Sequence, residues 1–412
     1  MKDGSGLHME PKIPTNVRKR NDKRSTAMYH YWAVKHERTN LVRSLERQKR
    51  IADRNIEFGW NTSLAFAVRD CEDDLSDFLR LSRHEMAEGY YFSPMLEPKP
   101  CASGEGHVIF QSDLAAGSER NDKFKCVISD GGSKDHALVV FHHWYARNRY
   151  SSFAKFFASR GITVVEATLP YHFERGSDDF SEESFFNANV GQTLHAFRQA
   201  VLDGRKVVRW LKSEGYRKVS VVGMCLGGTV AGLIAAEEAE VDNAVLIVSP
   251  GSPADLIWTS ETMQLLRGRI DLHLSRNDLR EAWALIDLEA RASRLGRFAT
   301  NFMLVFGKHD TVVPIYSANR FISEFKRSGY SPRVRWLDCG HSSISVQPYG
   351  MIAAWEVLRF LRDKRPLSGV PDDIHDWVDD QVVSFAEGVP FTDRYTETTN
   401  RYLARNERRL GR

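Results

Sequence analysis

The chain has 412 residues, of which 42% are hydrophobic and 27% are charged, and its formal net charge is +3. This composition is ordinary for a globular protein with a large core, and the charge gives no general reason to expect a nucleic-acid partner. Five widely spaced cysteines match neither a disulfide framework nor a zinc site, and no apolar run predicts a signal sequence or a membrane span, so we expect a cytoplasmic protein without metal or cofactor.

The first 100 residues are predicted to form a basic arm followed by helices outside the main domain. Residues 1–60 contain fourteen Lys and Arg against seven Asp and Glu. Because aromatic residues are sparse before residue 25, we expect residues 1–24 to be a solvated arm rather than a binding site for nucleic acid or a membrane surface. From residue 25 to about residue 82 the pattern is helical, with these apolar residues among many charges: Tyr29, Trp32, Leu41, Leu45 and Ile51.

Between about residues 101 and 365, β-like runs alternate with helical patterns. Strands are predicted from apolar runs at 107–112, 124–129, 137–141, 162–167, 219–223, 244–248, 302–307 and 334–337. Helices are predicted at about 194–211, 225–239 and 318–327. The fold class is therefore α/β, with a mostly parallel sheet covered by helices on both faces and reactive groups at the carboxyl ends of the strands.

One segment interrupts the alternation. Residues 251–300 hold no good strand, and the stretch LREAWALIDLEARASRL at 279–295 has the spacing of an amphipathic helix. This segment is either a helical cap above the strand ends or a set of ordinary surface helices. The predicted organisation has four parts: an N-terminal extension at 1–100, a core at 101–250 and 301–365, a helical insert at 251–300, and a surface segment at 366–412.

The segment GMCLGG at 223–228 joins a predicted strand to a predicted helix, which is the setting of a nucleophile elbow. Glycine at positions 223 and 227 permits a crowded turn, because a Cβ there would collide with neighbouring backbone. The side chain of Cys225 would stand above the sheet edge, at a helix N-terminus that favours thiolate. The alternative is a buried, inert cysteine on a tight turn.

Two further residues follow strands in the order that a catalytic triad needs. Asp310 comes just after the strand at 302–307, and His341 comes just after the strand at 334–337. The chain order is then nucleophile, acid and base. In this interpretation Cys225 attacks, His341 takes its proton or pairs with the thiolate, and Asp310 orients the imidazole. Asp338, three residues before His341, is the rival acid.

Two backbone amides are needed for an oxyanion hole. One is expected from Leu226, and the second from His143 or Trp144 in the sequence HHW, which follows the strand at 137–141. The sequence LPYHFERG at 169–176 follows the next strand and could reach the same site or only fix its loop to the domain. Candidate substrate contacts are His142, Tyr171, His172 and Arg175. Without a carboxylate cluster beside the two histidines, no metal site is predicted.

These motifs resemble those of the α/β-hydrolases. HHW, LPYHFERG and GMCLGG are together most similar to the "domain-containing protein 18" branch and its bacterial relatives, which usually have serine at the elbow. Dienelactone hydrolases and polyhydroxyalkanoate synthases carry cysteine there, and GMCLGGT, HDTVVP and CGH are similar to the elbow, acid and base segments of the synthases. The resemblance covers about residues 101–365.

The resemblance implies a hydrolase that cleaves an ester or thioester bond through a Cys-His-Asp triad and an acyl-cysteine intermediate. Because a thioester also reacts with amine, thiol and carbon nucleophiles, an acyltransferase, a cyclase or a C–C bond hydrolase is the first alternative. A non-catalytic binding protein on a hydrolase scaffold is the second. The expected partner is a small-molecule acyl substrate, and an aromatic content of 11% favours an apolar one.

Overall fold

The computed structural model describes residues 25–53, 57–93, 97–177, 181–298 and 300–363. Residues 33–374 form one unit, and the helical residues 25–32 belong to a second unit whose other residues lie outside these ranges. The predicted arm at 1–24 and the predicted surface segment at 366–412 also lie outside the described residues. In the described part of the chain, no helix has both the length and the apolar character needed to cross a membrane.

Nine strands of the described chain form one sheet in the order β1-β2-β3-β5-β4-β6-β7-β8-β9. They are β1 (Ala102–Gly104), β2 (His107–Gln111), β3 (Lys123–Ser129), β4 (His136–Phe141), β5 (Thr163–Ala167), β6 (Lys218–Met224), β7 (Asn243–Ile247), β8 (Asn301–Gly307) and β9 (Arg333–Leu337). β1 to β3 are antiparallel, and β4 to β9 are parallel. The eight predicted strands are confirmed, whereas the exposed, three-residue β1 has no apolar pattern that predicts it.

The register of the parallel strands brings four loops to one edge of the sheet. Phe141 pairs with Gly223, and Gly307 pairs with Leu337. Since β6 also pairs with β7 and β7 with β8, the loops that follow β4, β6, β8 and β9 leave the same edge. These are the loops that carry the predicted site residues.

Helices cover both faces of the sheet. In the described chain they are α1 (Ser25–Asp53), α2 (Thr62–Phe66), α3 (Leu75–Glu88), α4 (Ser151–Ala158), α5 (Val190–Ser213), α6 (Leu226–Glu237), α7 (Pro253–Thr259), α8 (Gln264–Ile270), α9 (Arg276–Ala282), α10 (Ala292–Leu295), α11 (Ile315–Arg327) and α12 (Tyr349–Leu361). Residues of α5 and α6 belong to one buried apolar cluster, and residues of α4 and α12 belong to another. The strands lie between two cores, as their continuous apolar runs predict.

The prediction of one amphipathic helix at 279–295 is wrong. α9 ends at Ala282, a 3₁₀ turn follows at Ala284–Ile286, and α10 begins only at Ala292. The break occurs where the Asp287 carboxylate accepts hydrogen bonds from the backbone N–H groups of Glu289 and Ala290, at 2.8 and 3.0 Å. Such a local side-chain bond competes with the helical ladder. The division into core and insert remains a prediction.

Candidate active site

Cys225 occupies the turn between β6 and α6, with φ 55° and ψ −124°. A residue other than glycine rarely adopts a positive φ, and such a backbone costs of order 1–3 kcal/mol. Surrounding hydrogen bonds hold the turn: Cys225 N–H donates to Ile247 O at 2.9 Å, and Cys225 O accepts from Gly228 N–H at 2.9 Å. The strained turn holds the sulfur at the sheet edge.

The glycines of the elbow are required by close backbone contacts. A Cβ on Gly223 would overlap the carbonyl of Gly227, and a Cβ on Gly227 would overlap the carbonyl of His142. The predicted steric need for glycine at both positions is confirmed. Gly227, in the first turn of α6, therefore lies against the end of β4 and the start of the loop that follows it.

His341 and Asp310 form the second part of the cluster. His341 Nδ1 donates to Asp310 Oδ2 at 2.8 Å. The other oxygen of this carboxylate accepts from the backbone N–H groups of Val312 and Val313, at 2.8 and 2.7 Å. Three donors therefore fix the orientation of the Asp310 carboxylate toward the imidazole. Asp310 and His341 are both buried.

The electrostatics of His341 link it to Cys225. Burial is the largest influence and by itself lowers the pKa of the ring, but the charges and hydrogen bonds of Asp310 and Cys225 raise this pKa well above its ordinary value of 6.5. Since Nδ1 faces Asp310, Nε2 is the ring atom left for the sulfur. The structure thus brings all three predicted triad residues together.

The rival acid, Asp338, has a different partner. His309 Nε2 donates to Asp338 Oδ1 at 2.7 Å, and both side chains of this pair are partly exposed. The loops after β8 and β9 therefore carry two separate His–Asp pairs. Asp310, and not Asp338, contacts His341.

The three predicted oxyanion amides differ in availability. His143 N–H donates to the hydroxyl of Tyr150 at 3.1 Å, and the same hydroxyl contacts His143 Nδ1. Within the described chain, the amides of Leu226 and Trp144 make no hydrogen bond. Tyr150, which sequence reasoning missed because nothing in its local pattern marks it, thus engages one of the three predicted amides.

His142 links two loops instead of facing solvent. Its Nε2 accepts from Leu169 N–H at 3.2 Å, and its Nδ1 donates to His143 O at 2.9 Å. Burial, together with the charge of neighbouring His172, keeps its pKa well below 6.5. Both ring nitrogens of His142 therefore make hydrogen bonds within the HHW loop and to Leu169, and its contact with substrate remains a prediction.

The sequence LPYHFERG fixes its loop to the domain. The fully buried Arg175 donates to Asp203 Oδ2 at 2.8 Å, to Thr168 O at 2.9 Å and to Asn121 O at 2.9 Å. Tyr171 N–H donates to Asn121 Oδ1 at 2.8 Å, and His172 Nδ1 donates to Pro170 O at 2.8 Å. These hydrogen bonds agree with the alternative stated above, in which Arg175 fixes its loop to the domain, and its contact with substrate remains a prediction. Tyr171 and His172 are buried as well.

Replacing Arg175 by methionine should destabilise the fold without weakening substrate binding. The change leaves the buried Asp203 carboxylate without its cation, which typically costs about 3–5 kcal/mol. Urea unfolding should show this loss, whereas the exposed control Arg327→Met should stay within about 0.5 kcal/mol of wild type. A raised KM at unchanged stability would show that Arg175 contacts substrate.

A metal site would need a cluster of His, Cys, Asp or Glu, since these are the side chains that usually bind metal ions in proteins. Within the described residues, no group of three or more His, Cys, Asp or Glu side chains has a metal-binding arrangement.

Comparisons with known proteins place the elbow in a matched segment. Residues 126–278 match the model described as "Dienelactone hydrolase family". Two uncharacterized proteins of Mycobacterium tuberculosis, from strains CDC 1551 / Oshkosh and ATCC 25618 / H37Rv, are 31% identical over 122 residues, which are 29% of this chain and 26% of each relative. The match thus spans about a quarter of the length of these curated relatives.

Solved structures share the architecture at low sequence identity. The acetyl xylan esterase from Paenibacillus sp. R4 has a TM-score of 0.50 and 14% identity, over 74% of this chain and 99% of that chain. The Pyrococcus horikoshii acylaminoacyl peptidase has a TM-score of 0.49 and 16% identity, over 66% and 43%. Together with the strand order and the elbow, the family match and the first likeness show that the chain has the α/β-hydrolase fold.

Proposed function

We propose that the protein is a hydrolase that cleaves ester or thioester bonds through an acyl-cysteine on Cys225. The observation that carries the proposal is the arrangement of three residues: Cys225 at the strained elbow, His341, and Asp310. His341 Nδ1 donates a hydrogen bond to Asp310 Oδ2 at 2.8 Å. An inert structural cysteine would need neither partner. The likeness of residues 126–278 to the dienelactone hydrolase family supports the same class of reaction.

In the acylation step, the Cys225 sulfur attacks the carbonyl carbon while the thiol proton passes to His341 Nε2. The raised pKa of His341, which Asp310 and Cys225 cause against the effect of burial, favours the imidazolium that this transfer produces. The tetrahedral intermediate then collapses, and the bond from carbon to the leaving oxygen or sulfur breaks. His341 returns the proton to the leaving group, so an alcohol or thiol departs.

The oxyanion that forms in the transition state needs N–H donors that are not already engaged in hydrogen bonds within the resting protein. The amides of Leu226 and Trp144 meet this requirement, because they lie on neighbouring loops and make no hydrogen bond within the described chain. The amide of His143 is engaged with Tyr150. We assign the oxyanion hole to Leu226 and Trp144.

In the second step, water attacks the acyl-cysteine after the alcohol or thiol has left. The water oxygen adds to the thioester carbon while His341 takes a proton from the water. The carbon–sulfur bond then breaks. The proton returns from His341 to the Cys225 sulfur, and the acid product leaves. Because the same thioester reacts with other nucleophiles, acceptor-dependent release is the mark of an acyltransferase.

Intact-protein mass spectrometry tests the proposal with p-nitrophenyl esters and acyl thioesters. Wild type should gain the mass of one acyl group, and the adduct should decay in water. Cys101→Ala is the matched control, because Cys101 is the exposed free thiol most open to nonspecific acylation. An adduct that persists in Cys225→Ala and disappears in Cys101→Ala would contradict the proposal, and release that accelerates strongly with an added amine, thiol or alcohol would favour transfer over hydrolysis.

A further inference from the structure

Glu37 of α1 places a buried carboxylate under the loop that carries His341. Glu37 Oε1 accepts from Ser342 N–H at 2.9 Å, from Ser343 N–H at 2.8 Å and from Ser343 Oγ at 3.0 Å. Glu37 belongs to the 33–374 unit, together with this loop. An N-terminal helix far from the elbow in sequence therefore contributes a side chain beside the proposed base.

The loop closes tightly around this carboxylate. Ser343 Oγ also accepts from Gly340 N–H at 2.8 Å. A Cβ on Gly340 would lie 2.5 Å from the Cδ of Glu37, so only glycine leaves room for the carboxylate. His341 is thus held between two residues, Gly340 and Ser342, that both contact Glu37.

The charges around Glu37 favour a cation at His341. The pKa of the Glu37 carboxyl is raised, chiefly by burial and also by the charge of Asp310, whereas hydrogen bonds from Ser343 and the charge of His341 lower it. In the described part of the chain, neither Lys nor Arg forms an ion pair with Glu37. A buried carboxylate without a cation is costly, so an imidazolium at His341 is the group that can compensate it.

We propose that Glu37 is a positioning residue that holds the His341 loop against Cys225 and favours the protonated imidazole through its negative charge. Its three hydrogen bonds all go to residues that directly follow His341. The inference rests on the proposed function only in taking His341 as the base. It extends the site to a helix outside residues 126–278, where the family match lies.

The test compares Glu37→Gln, Glu37→Asp and Glu238→Gln. The first removes the charge at constant size, and the second keeps the charge on a shorter side chain. Glu238 is the matched control, because it is a buried carboxylate paired with Arg205 and Arg209 and not with the His341 loop. Thermal unfolding measures the stability of each variant.

The first readout is an NMR titration of ¹³Cε1-labelled histidine, with the His341 signal assigned by its loss in His341→Asn. Glu37→Gln should lower the pKa of His341 by about half a pH unit or more, because removal of a nearby anion destabilises the imidazolium. Glu37→Asp should shift it less, and Glu238→Gln should leave it unchanged. An unchanged His341 titration in a folded Glu37→Gln protein would overturn the inference.

The second readout is steady-state kinetics on a substrate found in the acylation screen. Glu37→Gln should lower kcat about 10- to 100-fold with little change in KM, because the neutral amide no longer stabilises the imidazolium that His341 forms during acylation. Glu37→Asp should recover part of the loss. The two proposals fail separately: a missing acyl-enzyme in wild type contradicts the proposed function, whereas the NMR titration still decides the role of Glu37.

Discussion

Cys225→Ala lowers turnover of an activated acyl ester by about 10⁴-fold or more and removes the acyl-enzyme, because no other group at the elbow can form the covalent bond. The substitution shortens a side chain that is 8% exposed and leaves the turn itself intact. We therefore expect a folded protein with a thermal unfolding midpoint near that of wild type. Stopped assays and intact mass on the same sample measure both effects.

Cys225→Ser separates the need for a nucleophile from the need for sulfur. A serine hydroxyl has the same position but depends fully on His341 for its activation, so we expect a residual rate between those of wild type and Cys225→Ala. The exposed Cys101→Ala variant should behave as wild type. Turnover of Cys225→Ala at the wild-type rate would show that Cys225 is not the nucleophile.

The strand pattern and the residues at strand ends were predictable because the physics that produces them is local. Continuous apolar runs predict strands buried on both faces, and the sheet register then brings the loop after β6 to those after β8 and β9. The elbow glycines are recognisable for the same reason, since close backbone contacts at 223 and 227 allow no Cβ. The His341–Asp310 contact follows from these two regularities.

Contacts between distant segments could not be predicted in this way. Glu37 is one of many charges on a helix whose pattern suggests a solvated face, yet its partners are 305 and 306 residues away in sequence. The local pattern around Arg175 likewise marks only a polar residue in a loop. The fold is needed to show that Arg175 pairs with Asp203, which lies 28 residues further along the chain. Periodicity reports which side of an element is apolar, but it does not report which buried charges find partners.

The assignment of the acid rests on two His–Asp pairs that lie close together in sequence. Asp310 accepts from His341, whereas Asp338 accepts from His309. Both aspartates follow a parallel strand, but Asp338 comes directly at the end of β9, where the correct orientation toward His341 is less expected. Replacement by asparagine distinguishes the two aspartates, because it keeps the size of each side chain and removes only its charge.

Asp310→Asn should lower kcat by about 10³- to 10⁴-fold, because an amide neither holds the required imidazole tautomer nor stabilises the imidazolium. The pKa of His341, which Asp310 and Cys225 raise against the effect of burial, should fall, and the NMR titration of His341 measures that fall. Asp338→Asn should change kcat less than about 3-fold, since Asp338 belongs to a partly exposed pair with His309 and surface substitutions have small effects. If instead Asp338→Asn lost most of kcat and Asp310→Asn lost little, Asp338 would be the acid. His341 would then have to turn away from the 2.8 Å contact that it makes with Asp310.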